Sequence, residues 1–262
     1  MDIPSVALNN GVAMPQLGFG TWQVGQSTVE TALAAGYRSL DTAEMYGNEP
    51  DVAAAIAASG VAREDLFITT KVWNDHHGYR EALEAFDASR RRLGTEVIDL
   101  YLIHWPQPER DLYVETWRAL EKLYAEGAVR AIGVSNFAPK QLEKLMSACE
   151  TVPAVNQIEL HPGLSRPRER AFHAQHGIAT EAWAPIAKGR LLNASAVTAV
   201  AEKHGRTPAQ AILRWHIQHG TIAIPRSATP ERIESNLAIW DFELTEQDME
   251  AIDAVDAGAD TA

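Results

Sequence analysis

The feature that most narrows what this chain can fold into is a repeat of form: a short apolar run followed by a helix-forming stretch, eight times over. The runs fall at 17–20, 38–41, 66–71, 97–103, 129–134, 154–158, 178–183 and 221–224. Several are apolar almost throughout, as strands covered on both faces must be. Strands that alternate with helices pair in parallel, because a parallel neighbour needs a crossover between them. Eight such units in about 250 residues predict a closed parallel (β/α)8 TIM barrel. The competing fold, a doubly wound sheet with a dinucleotide fingerprint, begins at Gly18-Phe19-Gly20 but has Gln23 where the third glycine belongs.

Local signals fill in the frame. Val6-Ala7-Leu8 and Val12-Ala13-Met14 flank Asn9-Asn10-Gly11, which predicts a hairpin ahead of the first strand. Ser27-Thr28-Val29-Glu30 reads as a capping box whose helix stops at Gly36. Thr207-Pro208 opens a helix ending near Gly220, and Thr245-Glu246-Gln247-Asp248 opens an extra C-terminal one. No linker or low-complexity stretch divides residues 1–262, so one domain is expected.

Charge and cysteine content restrict the function classes. A net charge of −12 argues against nucleic-acid or acidic-membrane partners, while a locally cationic site for an anion stays open. Cys149 is the only cysteine, which excludes an internal disulfide and a cysteine-based metal cluster. No apolar run is long enough to span a membrane, and the start of the chain has no signal-like core, so a cytoplasmic address is expected. His76-His77 and His161 lack a coherent ligand spacing, and no metal is expected.

In a barrel, the C-terminal strand ends meet on one face and can be read together. The second strand delivers Asp41 and, on its loop, Tyr46; the third ends in Lys71; the fourth ends in His104 and Trp105. A lysine closing an apolar strand must find a partner or reach water. A tyrosine needs a nearby cation to do acid–base work near neutral pH, because its free pKa is about 10.

These strand ends resemble the aldo-keto reductase family. The resemblance rests on Asp41-Thr42-Ala43-Glu44-Met45-Tyr46-Gly47-Asn48-Glu49, Thr70-Lys71, Ile103-His104-Trp105-Pro106, Gly133-Val134-Ser135-Asn136-Phe137, Asn156-Gln157-Ile158-Glu159 and Ile224-Pro225-Arg226-Ser227. It runs from the hairpin to the last helix and is nearest to the bacterial 2,5-diketo-D-gluconate reductase branch. It implies hydride transfer from a reduced nicotinamide to a carbonyl, with Tyr46 as proton donor, Lys71 lowering its pKa, Asp41 paired to Lys71, and His104 orienting the carbonyl oxygen. It also implies NADPH binding, with NADH weaker. Trp183 would stack on the nicotinamide, and Ser135, Asn136 and Gln157 would hold its carboxamide. Gly20, Thr21, Trp22, Asp41, Ala184, Pro185, Ile186 and Ile224 would line the rest of the cofactor cleft.

At the start of a helix capped by Thr229, the resemblance gives Arg226, Ser227, Ala228, Thr229 and Arg232 to the 2′-phosphate, and Glu234 and Asn236 to the adenine. Helix N-termini and arginine forks suit phosphate. Trp22, Trp73, His104 and Trp105 would form the substrate wall, whereas Trp117 and Trp215 read as core. A short segment at 186–193 and a short tail after Asp256-Ala257-Gly258 suggest an open pocket for small aldehydes, ketones, dicarbonyls such as methylglyoxal, or keto-sugars. A monomer is expected. The alternatives are a catalytically slow NADPH-binding relative, or a barrel isomerase or hydrolase without redox chemistry.

Overall fold

The computed structural model describes residues 3–255, so the tail after Asp256 lies outside the described residues, as does the start at Met1-Asp2. The eight predicted strands are present: β1 Phe19–Gly20, β2 Ser39–Asp41, β3 Phe67–Val72, β4 Ile98–Ile103, β5 Val129–Ser135, β6 Val155–Glu159, β7 Ala179–Trp183 and β8 Ile222–Ala223. They form one parallel sheet in sequential order. A parallel bridge from Leu17 to Ala223, with Gly18 N–H donating to the Ala223 carbonyl at 2.9 Å, joins the first strand to the last and closes the barrel. The fold is the predicted TIM barrel.

Ten helices lie among the described residues: α1 Gln26–Ala35, α2 Glu49–Ser59, α3 Tyr79–Leu93, α4 Tyr113–Ala125, α5 Pro139–Ala148, α6 Pro167–Gln175, α7 Ser195–Lys203, α8 Pro208–Gln218, α9 Pro230–Leu237 and α10 Glu246–Asp253. Thr207 and Thr245 cap α8 and α10 as their sequences predict, each accepting from the backbone three residues on. The capping box read at Ser27–Glu30 is corrected: α1 starts two residues earlier than that box requires, at Gln26, Gly25 is its N-cap, and Ser27 lies inside the helix. Its stop at Gly36 stands, with φ at 116°, a conformation glycine adopts without penalty.

The barrel lumen changes character along its axis. At the bottom, Leu8 and Met14 from the hairpin plug it, packing on Phe67, Leu100, Leu102, Ala131, Val155 and Ile222. The hairpin arms Ser5–Ala7 and Ala13–Pro15 pair antiparallel, and Asn10 at the turn donates to the Arg130 carbonyl at 2.9 Å. Gly133 is required in β5, because a Cβ there would sit 2.6 Å from the Val155 carbonyl and 2.7 Å from Leu102. Outside the strands, two apolar clusters, one including Trp117 at no exposure and one including Val200, Trp215 and Ile252, seal the helices to the sheet. Trp215 is equally buried, as expected for a core residue. At the top of the lumen the side chains become charged.

Candidate active site

The upper lumen holds four ionisable or amide groups in direct contact. Lys71, at no exposure, donates to Asp41 Oδ1 at 2.7 Å and to the Thr42 carbonyl at 2.9 Å. The Gln157 amide donates to Asp41 Oδ2 at 2.7 Å and to Glu181 Oε2 at 2.8 Å. Burying an ammonium or a carboxylate alone is costly, so each charge here depends on its partners. Burial drags the Lys71 pKa down, yet Asp41 and its neighbours raise it overall, and the lysine stays charged.

Tyr46 lies half-buried on a short 3-10 turn, Glu44–Tyr46, with its ring centroid 5.2 Å from Lys71 Nζ. That turn is pinned at both ends. The Glu44 carboxylate accepts from Trp73 N–H at 3.0 Å and pairs with His76 at 2.9 Å. Asn48 donates to the carbonyls of Thr21 at 2.7 Å and Val24 at 3.0 Å. Lys71 acts on the phenol pKa in the expected direction, but it does not act alone. Burial raises it, Lys71 pulls it down as a charge and as a hydrogen-bond donor, Asp41 and Glu181 push it up, and the sum lies above the ordinary value. Desolvation outweighs the cation, which is itself held by Asp41.

His104 is buried, its ring 5.8 Å from that of Tyr46 and 5.1 Å from that of Trp73, both edge-on. Burial, and then Lys71, push its pKa down to about 3, so it is a neutral imidazole across the physiological range. A neutral imidazole can donate a hydrogen bond to a carbonyl oxygen but is a poor acid. Of the two groups, the phenol is the stronger acid.

The next strand ends form a second polar chain. Ser135 donates to the Gln157 carbonyl at 2.9 Å; Asn136 donates to Ser135 Oγ and to the His104 carbonyl, both at 3.0 Å. Trp183 donates its indole N–H to Asn136 Oδ1 at 2.8 Å, which fixes the half-buried ring at the mouth of β7. Beyond it the loop is strained: Ala184, Ala187 and Lys188 all take positive φ. Such strain is characteristic of segments shaped for a ligand. Pro185 is buried and Ile186 half-buried on that loop.

Across the opening, Thr21 and Gly20 lie beneath the rim. The Thr21 hydroxyl donates to the Asp41 carbonyl at 2.9 Å, and a Cβ on Gly20 would come 3.1 Å from the Ile224 carbonyl. Trp22 and Trp105 are exposed at 42% and 39% on this face, which is unusual for tryptophan away from a binding surface. Trp73 is half-buried, its ring edge-on to that of His104.

The cationic arm is wet. Arg226 is exposed, donates to the Trp22 carbonyl at 3.0 Å and to Gln23 Oε1 at 3.2 Å, and lies over the Trp22 ring. Arg232 and Ala228 are exposed as well, and Ser227 bonds the Thr229 N–H at 3.1 Å at the head of α9. Thr229 is the N-cap of α9, though its own side chain makes no capping bond. Glu234 is exposed and Asn236 buried further along the helix. Free guanidinium groups at a helix N-terminus, a fixed aromatic ring and an amide-rich strand end together fit the phosphate, ring and carboxamide of a nicotinamide dinucleotide.

Sequence reasoning gave Glu181 no role. Its signal was present: an acid in the middle of a buried strand, two residues before Trp183 and therefore on the same face. Glu44 and Asn48 were quoted inside the motif and likewise given no task. Among the described residues, no group of three or more His, Cys, Asp or Glu side chains could hold a metal ion, and no helix is long and apolar enough to cross a membrane.

The profile of the "Aldo/keto reductase family" matches residues 16–257. The glyoxal reductase of Bacillus subtilis (strain 168) is 49% identical over 256 residues, which cover 96% of this chain and 92% of that protein. The crystal structure of an aldo/keto reductase from Brucella melitensis superposes with a TM-score of 0.95 at 51% identity, covering 97% of this chain and 100% of that one. A variant of Gox0644 in complex with NADPH gives 0.94 at 44% identity, covering 97% and 94%.

Proposed function

The chain belongs to the aldo/keto reductase family and is an NADPH-dependent oxidoreductase, and from that premise we propose that it reduces small aldehydes, ketones and dicarbonyls such as methylglyoxal to alcohols. The observation that carries the reading is the dry Asp41–Lys71 pair beside a tyrosine, with a histidine that cannot act as the acid. NADPH supplies the hydride when bound. His104 presents its N–H to the substrate oxygen and orients it. Tyr46 gives that oxygen its proton, and Lys71, held by Asp41, stabilises the phenolate left behind. The raised pKa of Tyr46 keeps the phenol protonated at neutral pH, ready to supply that proton. An alkoxide is far more basic than a phenolate, so the transfer still runs downhill.

Trp183 gives the nicotinamide a face, and Ser135, Asn136 and Gln157 hold its carboxamide. Gly20, Thr21, Trp22, Pro185, Ile186 and Ile224 line the cleft. Arg226, Ser227, Ala228, Thr229 and Arg232 take the 2′-phosphate, and Glu234 and Asn236 lie beside the adenine. NADPH is therefore preferred over NADH. Trp22, Trp73 and Trp105 wall a substrate pocket suited to compact carbonyls, and the branch resemblance adds keto-sugars to the class. All these groups come from one chain and one domain, so a monomer suffices, and a cytoplasmic address is part of the same proposal. The glyoxal reductase relative supports the dicarbonyl reading. Mixing the protein with NADPH and a panel of methylglyoxal, simple aldehydes and keto-sugars, and following NADPH absorbance, is expected to show turnover. Binding of NADPH with no oxidation across the panel would sink the proposal.

A further inference from the structure

Glu181 is the one charged-type side chain of the upper lumen without an assigned task. It sits in the middle of β7, flanked in the sheet by Gln157 of β6 and by Ile222 of β8. It is completely buried; Oε2 accepts from Gln157, and among the described residues Oε1 has no hydrogen-bond partner. The charged groups that face it are Asp41 and Lys71, and it acts in turn on Tyr46. A primary amide has two N–H donors and one oxygen. The Gln157 nitrogen is fully engaged by two acids, one on each side, which fixes which way the amide points.

We propose that Glu181 is a positioning residue for the nicotinamide end of the site. With Asp41 it occupies both amide hydrogens of Gln157, so that the amide oxygen alone meets the cofactor carboxamide, and its proton occupancy tunes the balance between oxidised and reduced cofactor. This rests on the cofactor reading above. Burial, then the Asp41 charge, raise the Glu181 pKa to about 8. Lys71 and Tyr46 are lifted above their ordinary values and His104 is depressed, so none of the three titrates in the same window. Burial thus favours the neutral acid at neutral pH, and as the medium grows alkaline the lumen gains a negative charge. That charge attracts the cationic ring of NADP+ and is indifferent to the neutral ring of NADPH.

The test is the ratio of NADP+ to NADPH dissociation constants, read from quenching of tryptophan fluorescence between about pH 6.5 and pH 9.5. Both nucleotides carry the same 2′-phosphate, so its titration cancels in the ratio. In the unaltered protein the ratio is expected to fall at least about threefold through the window, NADP+ gaining. Glu181→Gln keeps an oxygen for Gln157 but cannot ionise, and should give a flat ratio. Glu181→Leu accepts nothing and should weaken both nucleotides about fivefold or more, the loss expected for one buried hydrogen bond. A flat ratio in the unaltered protein overturns the proposal without any variant. So does a Gln variant that follows the unaltered curve, or a Leu variant that binds as tightly as the unaltered protein. Tyr46→Phe should lose turnover and keep the shift. If neither nucleotide binds, it is the cofactor reading that fails, an outcome distinct from a flat ratio, and the role of Glu181 falls with it.

Discussion

Lys71 and Arg226 are both cations on the same rim of the barrel, yet they live in opposite solvents. Lys71 has no exposed surface and is held by Asp41 and the Thr42 carbonyl. Arg226 is exposed and bonds only the Trp22 carbonyl and Gln23 Oε1, with no acid on it among the described residues. In the dry lumen burial and neighbouring charges set each group together: the neighbours win at Lys71 and burial wins at Tyr46. At the wet arm water screens the charge, which leaves the guanidinium available to an incoming anion. One end is built to hold a proton in place and the other to catch a phosphate.

The largest expected break in this contrast is Lys71→Met. It leaves Asp41 in the lumen without its cation, so chemical denaturation should show a loss of about 3–5 kcal/mol, and turnover should fall with it. Tyr46→Phe removes only the proton donor: steady-state rates should drop about 10²–10⁴-fold. NADPH affinity from fluorescence titration should hardly move. Residual turnover near the unaltered level would remove Tyr46 from the role.

At the wet end, Arg226→Ala combined with Arg232→Ala should raise the NADPH Michaelis constant about tenfold to a hundredfold, the worth of a charge-assisted phosphate contact. The NADH constant should change little; equal effects on both would refute the phosphate assignment. Salt should act the same way at smaller scale, weakening NADPH while leaving kcat alone.

Buried histidines, one in the lumen and two on helices, should instead respond to acid. His104, His173 and His216 are buried with pKa values pushed down, chiefly by burial, to about 3, about 4 and about 3. Unfolded, each would titrate near 6.5. Below that pH the unfolded chain takes protons the folded one refuses, so stability is full at pH 7 and is lost as pH falls toward the folded values. The slope is up to about 1.4 kcal/mol per pH unit for each histidine. A denaturation midpoint equal at pH 7 and pH 5 would contradict this.

Where sequence reasoning succeeded, the determinant was local. The alternation of strands and helices, the hairpin at Asn9-Asn10-Gly11, and the caps at Thr207 and Thr245 are each written within a few residues. It erred at Ser27, where a capping pattern competed with a backbone that had already turned helical at Gln26. It passed over Glu181 and Glu44 because an acid is read from sequence as solvated unless something announces its partner.

The sequence by itself determined that polar and charged groups would gather where eight strands end, since parity along a strand and closure of the barrel leave them no other place. Only the tertiary structure decided what those groups are electrically. Asp41 meets Gln157 across 116 positions of the chain, Gln157 meets Glu181 across 24, and burial rather than the nearby cation sets the direction of the Tyr46 pKa. A pKa depends on how much water has been removed and which charges stand within a few ångströms, and neither quantity exists until the chain has closed.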